Sequence, residues 1–200
     1  MNRPKNLGLG AHFAKWLNSL SMNPKFLKVW LCCAIGFWAA CTPQKAAETT
    51  PPETIVKVGD KAPGFTVTTT DGVEISTEKL AGKVILLNFF ATWCGPCMTE
   101  MPRVESEVWQ KFKDRGLVVV AIGREHSTEE MIKFKTEKKL TLPVAPDPKR
   151  VVFRLYATQN IPRNFLIGAD GRIVFESSGF NPEEFGEMVK VIEKELGKTK

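Results

Sequence analysis

The chain has 200 residues, 43% of them hydrophobic and 25% charged, with a formal net charge of +6. This composition suits one globular domain with an attached segment. Residues 1–41 carry five basic residues and no acidic residue. The remainder is therefore close to neutral, which excludes a basic nucleic-acid-binding surface on the folded part.

Residues 1–41 have the pattern of an export signal. A charge-free apolar run of thirteen residues ends at Cys41 and follows two lysines. It is shorter than the ~20 residues of a membrane-spanning helix and matches the apolar core of a signal peptide. The two alanines before Cys41 resemble the bacterial lipoprotein signal, which predicts lipidation of that cysteine. Plain cleavage and an uncleaved anchor are the alternatives, and Met22 is an alternative start.

Residues 42–57 are predicted to form a flexible tether, because they contain three prolines and four threonines and few residues that could pack. The folded domain is then predicted over residues 58–200. Together with the leader, this arrangement predicts an exported protein on the periplasmic side of a bacterial cell envelope. A lipid on Cys41 would hold it at the membrane.

The domain is predicted to begin with a hairpin, a buried strand and a helix. Asp71-Gly72 lies between two short β patterns, which is typical of a hairpin turn. The continuous apolar run over 83–91 predicts a strand buried on both faces. From Cys94 the apolar residues recur at helical spacing, and Gly116 is placed to end that helix.

The second half of the domain repeats the alternation and ends in a hairpin and a helix. An apolar run over 117–123 predicts another buried strand, and Ser127 and Glu130 have the spacing of a capping box. A second Asp-Gly turn precedes a closing helix capped by Asn181. This order predicts an α/β fold with a mixed central sheet, helices on both faces and the first hairpin as an N-terminal extension.

Cys94 and Cys97 are the candidate reactive groups. A thiol at a helix N-terminus is favoured as thiolate by the helix dipole and by unpaired amide groups. A second thiol one turn further along can attack a disulfide that the first has formed. A structural disulfide and half of a zinc site are alternatives, but zinc needs about four ligands and the sequence has no second pair at metal spacing. We expect no metal and no cofactor.

The Trp-Cys-Gly-Pro-Cys motif at 93–97 follows a buried strand, and Ile161-Pro162 precedes a later one. With these features the chain resembles the thioredoxin fold. More closely, it resembles extracytoplasmic, membrane-tethered thiol–disulfide oxidoreductases of the TlpA/ResA-like group and the related AhpC/TSA redoxins. The resemblance covers about residues 58–198.

The motif residues have separate expected roles. Cys94 is the expected nucleophile because it lies nearer the helix start, and Cys97 is the expected resolving thiol, the two forming a redox-active disulfide. Pro96 fixes the backbone for the first helical turn, where its missing N–H costs nothing. Gly95 leaves the sulfur unshielded. Trp93 is expected to flank the site, with a place in the core as the alternative.

Glu100 is the candidate proton acceptor. It lies three residues after Cys97, on the same side of the helix and within reach of that thiol. A partly buried carboxyl has a raised pKa and could take the Cys97 proton, whereas a solvated surface glutamate is the alternative. In the family that the chain resembles, envelope-facing members often carry a glutamate here. Cytosolic thioredoxins instead use an aspartate six residues before the first cysteine, where this chain has Asn88.

The resemblance also implies a cis peptide bond before Pro162, facing the active disulfide. The backbone ahead of that proline pairs with the substrate chain in thioredoxin-like proteins, so Ile161 is expected to contribute to partner selection. From the residues alone, Pro102 is predicted to kink the first helix, and His126 is predicted to lie in a solvated loop.

The expected function is reduction of disulfides in cysteine-containing envelope proteins, supplied with electrons by a membrane or periplasmic donor. The reducing direction follows from Gly95-Pro96, a reducing-type dipeptide in the family. Apocytochrome c, in cytochrome c maturation, is a family-typical substrate. The protein is expected to be a monomer. A redoxin-type thiol peroxidase and a non-catalytic, peptide-binding lipoprotein are the alternatives.

Overall fold

The computed structural model describes residues 53–199. Within them the strands are β1 (Thr66–Thr68), β2 (Glu74–Ser76), β3 (Val84–Phe90), β4 (Leu117–Arg124), β5 (Val144–Asp147), β6 (Arg163–Ile167) and β7 (Ile173–Ser178). The α-helices are α1 (Gly95–Arg103), α2 (Gln110–Phe112), α3 (Thr128–Glu137), α4 (Phe153–Tyr156) and α5 (Pro182–Lys198).

Five strands form the central sheet in the order β5-β4-β3-β6-β7. Strands β3, β4 and β5 run parallel, whereas β6 and β7 are antiparallel to their neighbours. Strands β1 and β2 form a separate antiparallel hairpin. The predicted α/β fold with a mixed sheet and an N-terminal hairpin is therefore confirmed.

The sheet is covered on both faces because its strands alternate side chains between two apolar cores. From β3, Leu86 and Phe90 enter the core beneath α1, α3 and α5. Ile85, Leu87 and Phe89 enter the opposite core, which α4 and the β1–β2 hairpin cover. Every residue of β3 is buried, so this strand fixes the position of the segment that follows it.

The first long helix does not remain α-helical along its predicted length, and the change comes directly after Pro102, the residue predicted to kink it. Its α-helical part ends at Arg103, and a π-helical turn over Val104–Trp109 follows directly. Pro102 lies inside the last α-helical turn and has no N–H to donate, so the regular hydrogen-bond ladder is interrupted there. Gly116 ends the helical segment with a φ of 96°, as a left-handed C-terminal residue.

The two predicted helix starts are present. The Ser127 side chain accepts from the backbone N–H of Glu130, and the Glu130 carboxylate accepts from the backbone N–H of Ser127. The Asn181 side chain accepts from two N–H groups in the first turn of α5. These local caps fix the helix boundaries because they satisfy amide groups that have no partner within the helix.

The predicted leader, Cys41 and most of the predicted tether lie outside the described residues. The last residues assigned to the tether, 53–57, contact the domain. Val56 is buried, and the backbone N–H of Ile55 donates to the carbonyl of Tyr156 over 2.9 Å. No helix within 53–199 has the length and apolar character needed to span a bilayer.

Candidate active site

Cys94 and Cys97 form a disulfide bond where β3 leads into α1, with their Cα atoms 5.2 Å apart. Cys94 is the N-cap of α1, and its Sγ accepts the backbone N–H of Cys97 over 3.2 Å. An amide donor aimed at this sulfur favours its thiolate form in the reduced protein. Cys94 is 6% exposed and Cys97 is 1% exposed, so Cys94 is the more accessible sulfur.

An open groove of about 400 Å³ lies over Cys94. Its walls come from the active-site turn, the end of β4 and the loop before β6, namely Trp93, Cys94, Gly95, Pro96, Arg124, Asn160 and Ile161. Trp93 is 63% exposed, and the Arg124 guanidinium lies 5.5 Å from the centre of its ring. The tryptophan side chain therefore lies at the groove and not in the core. Cys97 does not line the groove, so an incoming disulfide meets Cys94 first.

The loop before β6 forms the wall opposite the helix. The Ile161–Pro162 peptide bond is cis, as the resemblance implies. The carbonyl oxygen of Ile161 lies 3.7 Å from Cys94 Sγ. Asn160, which precedes them, has a φ of 60°. This loop therefore presents backbone directly beside the accessible sulfur.

Glu100 is buried, with 2% of its surface exposed, which excludes a solvated surface position. Its carboxylate accepts from the side-chain amides of Asn88, over 2.9 Å, and Asn164, over 2.7 Å. The Asn88 side-chain amide also donates to the side-chain oxygen of Asn164, and the Asn164 side-chain amide donates to the Ser177 hydroxyl. Glu100 therefore ends a buried polar network that crosses β3, β6 and β7.

Sequence reasoning missed the role of this network. The sequence marks Asn88 only as the residue that stands in place of an aspartate, and it assigns no role to Asn164 or Ser177. Their side chains meet because Asn88 pairs with Asn164 across β3 and β6, and Asn164 pairs with Ser177 across β6 and β7. The available signal was one amide in each strand: Asn88 within the otherwise apolar β3, and Asn164 directly before the apolar end of β6.

Burial raises the pKa of Glu100 from 4.5 to about 7, because the charged form loses hydration. The amide donors of Asn164 and Asn88 act in the opposite direction by stabilising the carboxylate. The group therefore changes its charge near neutral pH, which suits a proton acceptor in a reaction at that pH.

The raised pKa of Glu100 makes a prediction about stability. Between about pH 4.5 and pH 7 the folded protein holds a proton that the unfolded chain has released, so stability falls as pH rises. The free energy of unfolding of Glu100→Gln, measured relative to that of wild type, should therefore be higher at pH 8 than at pH 5 by on the order of 2 kcal/mol. Urea unfolding at both pH values measures this gain, with exposed Glu107→Gln as the control. Equal pH dependence of wild type and Glu100→Gln would contradict it.

His126 corrects another prediction. It is only 5% exposed, and its Nε2 accepts the backbone N–H of Thr92 over 3.1 Å. Its Nδ1 lies 3.5 Å from the Glu130 carboxylate. The solvated-loop prediction was wrong because β3 and β4 are parallel neighbours, so the residues that follow them meet at the same sheet edge. His126 holds the turn immediately ahead of Trp93.

A slightly larger cavity, of about 440 Å³, lies at the other end of β3. It is lined by Leu80, Ile85 and Ile167 among others, and by no cysteine or histidine. Nothing in it can exchange a disulfide, so the groove over Cys94 is the candidate active site.

Comparison with known proteins decides the family. Residues 58–176, more than half of the chain, match the model of the AhpC/TSA family. The chain belongs to the AhpC/TSA family. It is 33% identical over 129 residues to the thiol-disulfide oxidoreductase ResA of Bacillus thuringiensis, an alignment that covers 64% of this chain and 74% of ResA.

Solved structures confirm the thioredoxin-like fold of this AhpC/TSA-family protein. One is a provisionally named protein disulfide isomerase from Bacteroides thetaiotaomicron, with a TM-score of 0.70 and 37% identity over 74% of this chain and 95% of that chain. Another is a thiol:disulfide interchange protein of the thioredoxin family from Chlorobium tepidum TLS. Its TM-score is 0.60 and its identity 25%, over 70% of this chain and 98% of that chain.

Proposed function

We propose that this AhpC/TSA-family protein reduces disulfides in cysteine-containing proteins of a bacterial cell envelope, with Cys94 as nucleophile and Cys97 as resolving thiol. The chain is a thiol–disulfide oxidoreductase, in keeping with its ResA relative. The observation that carries the proposal is the Cys94–Cys97 disulfide at a helix start, with one sulfur lining a groove and the other buried behind it.

The reaction cycle moves two electrons to the substrate. The Cys94 thiolate attacks a substrate disulfide, forms a mixed disulfide and releases one substrate thiolate, which takes up a proton. Cys97 then loses its proton and attacks Cys94 Sγ. This step breaks the mixed disulfide, releases the second substrate thiol and closes the Cys94–Cys97 disulfide. A dithiol donor reopens that disulfide for the next turnover.

Glu100 is the proposed acceptor of the Cys97 proton. Both residues are buried on the core side of α1, one helical turn apart. With its pKa raised to about 7, the carboxylate is available as a base at neutral pH and the acid form can return the proton. The Asn88 and Asn164 amides hold the carboxylate in place through both steps.

The groove is the proposed substrate site. An extended substrate segment would lie between Trp93 and the Ile161–Pro162 loop, with its cysteine over Cys94. Gly95 adds no side chain above the sulfur, and Pro96 holds the first helical turn. The loop backbone beside Cys94 would offer the segment hydrogen bonds that do not depend on its side chains.

The cellular setting of the proposal comes from the predicted leader. Export by residues 1–41, lipidation of Cys41 and a tether over 42–57 would place the domain, residues 58–200, on the periplasmic side of a membrane. A membrane or periplasmic donor would supply electrons there, and the protein would act as a monomer. Apocytochrome c is the proposed substrate within this class, since haem attachment needs its cysteines reduced.

Two assays on the same preparation test the proposal. With dithiothreitol as donor, we expect the protein to accelerate reduction of insulin disulfides while hydrogen peroxide is consumed at the uncatalysed rate. Bovine serum albumin at equal mass controls for nonspecific effects. Catalysed peroxide consumption without insulin reduction would contradict the proposal and favour a thiol peroxidase. Absence of both activities would favour a non-catalytic peptide-binding lipoprotein.

A further inference from the structure

One carboxylate from the N-terminal segment contacts both sides of the groove loop. Oε1 of Glu53 accepts from Asn160 Nδ2 over 2.6 Å and from Arg163 Nη2 over 2.7 Å. It also accepts the Ser178 hydroxyl over 3.1 Å. Asn160 and Arg163 directly flank Ile161-Pro162 in sequence. Glu53 therefore bridges the two ends of the loop that faces Cys94.

Arg163 gives this contact its strength. Its side chain is completely buried, and its Nη1 donates to Thr54 Oγ1 over 2.6 Å. A second carboxylate, that of Glu176, lies further away, 3.6 Å from the same nitrogen. A buried guanidinium is costly without a hydrogen-bonded anion. The N-terminal segment supplies that anion through Glu53.

The segment is also fixed through its backbone. The Thr158 N–H donates to the Glu53 carbonyl over 3.0 Å, and the Ile55 N–H donates to the Tyr156 carbonyl over 2.9 Å. The Val56 side chain is buried in the core shared with α4. Because these contacts do not involve the Glu53 carboxylate, removal of the carboxylate leaves the segment attached.

The loop that Glu53 restrains lies directly beside the reactive sulfur. Asn160 lines the groove in a left-handed conformation, with a φ of 60°. The next carbonyl, that of Ile161, lies 3.7 Å from Cys94 Sγ. A side chain that anchors Asn160 thereby sets how far the loop stands from the sulfur, and so the width available to a substrate segment.

We propose that Glu53 is a positioning residue of the active site: its carboxylate holds Asn160 and Arg163 and so keeps the Ile161-Pro162 wall of the groove in place opposite Cys94. The segment around Glu53 thus supports the substrate site without lining the groove. The kinetic consequence rests on the proposed function, whereas the restraint on the loop does not.

Glu53→Ala in the full-length protein tests the kinetic consequence, with Glu176→Ala as the matched control. Both remove a carboxylate beside Arg163, but only Glu53 contacts Asn160. We expect KM for insulin disulfides to rise about tenfold in Glu53→Ala, the effect of losing charged hydrogen bonds, with kcat little changed. Glu176→Ala should change KM less than about twofold. An unchanged KM in Glu53→Ala, or an equal rise in both variants, would overturn the proposal.

Hydrogen–deuterium exchange of the oxidised protein tests the restraint independently of activity. We expect faster exchange over residues 158–163 in Glu53→Ala and unchanged exchange in Glu176→Ala; unchanged exchange in both would overturn the proposal.

A second variant is available if Glu53→Ala does not fold. Asn160→Gly removes the hydrogen bond between Asn160 and Glu53 but keeps the Glu53–Arg163 ion pair, and glycine tolerates a positive φ. It should give the same faster exchange, and wild-type exchange would overturn the proposal. If the wild-type protein does not reduce insulin, the proposed function is refuted, but the restraint of the loop by Glu53 is not.

Discussion

Replacing Cys94 with serine is expected to lower the rate of insulin reduction by at least about a thousandfold, because a neutral hydroxyl cannot attack a disulfide as a thiolate does. Serine is similar in size and can still accept the Cys97 N–H, so the helix start keeps its cap. The measurement is the initial rate of insulin reduction with dithiothreitol as donor, at equal protein concentrations.

The control for this variant is the thermal stability of reduced wild type, which lacks the disulfide but keeps both thiols. We expect Cys94→Ser and reduced wild type to unfold at similar temperatures, so that the loss of rate reflects the missing nucleophile. A folded Cys94→Ser protein with more than about a tenth of the wild-type rate would show that Cys97 or another group performs the attack.

Glu100→Gln is expected to lower kcat at pH 7 by about a hundredfold, the lower end of what a positioned proton acceptor contributes. The wild-type rate should rise with pH and level off above about pH 7, since the pKa of Glu100 is raised to about 7 by burial. The rate of the variant should not show this rise around pH 7. The ratio of wild-type to variant rate should become smaller as pH approaches ~8.5, where a free thiol ionises without a base. A pH–rate profile of both proteins measures this.

Glu107→Gln is a suitable control, because Glu107 lies on the helical segment that follows α1 but is exposed and pairs with Arg103. Its rate should match wild type at every pH. Urea unfolding of Glu100→Gln at the pH of the assay separates loss of activity from loss of folding. A Glu100→Gln rate within about twofold of wild type would assign the Cys97 proton to solvent.

The fold was predictable because its decisive signals are local. A continuous apolar run predicts β3, two Asp-Gly turns predict the hairpins, and Ser127 and Asn181 mark helix starts by side-chain chemistry. The cysteine pair then falls where a central strand meets a helix. Each of these features depends on neighbours within a few residues, which a single sequence displays directly.

The surroundings of the site depended on contacts that a single sequence does not display. Asn88 and Asn164 are 76 residues apart, and they meet only through the register of β3 and β6. His126 became buried because two parallel strands end at the same edge. Glu53 and Arg163 are 110 residues apart. The Pro- and Thr-rich composition around Glu53 therefore predicted a flexible tether, whereas in the structure its ion pair with the buried Arg163 fixes this segment. Long-range pairing decided each of these.

Trapping of the mixed disulfide is the most direct test of Cys94 as nucleophile and Cys97 as resolving thiol. Reduced Cys97→Ser protein is mixed with a disulfide-containing protein, quenched with acid and analysed by peptide mass spectrometry, with Cys94→Ser treated identically. We predict a stable adduct on Cys94 in the first variant and none on Cys97 in the second. Adducts on Cys97 alone, or no adduct in either variant, would contradict the account.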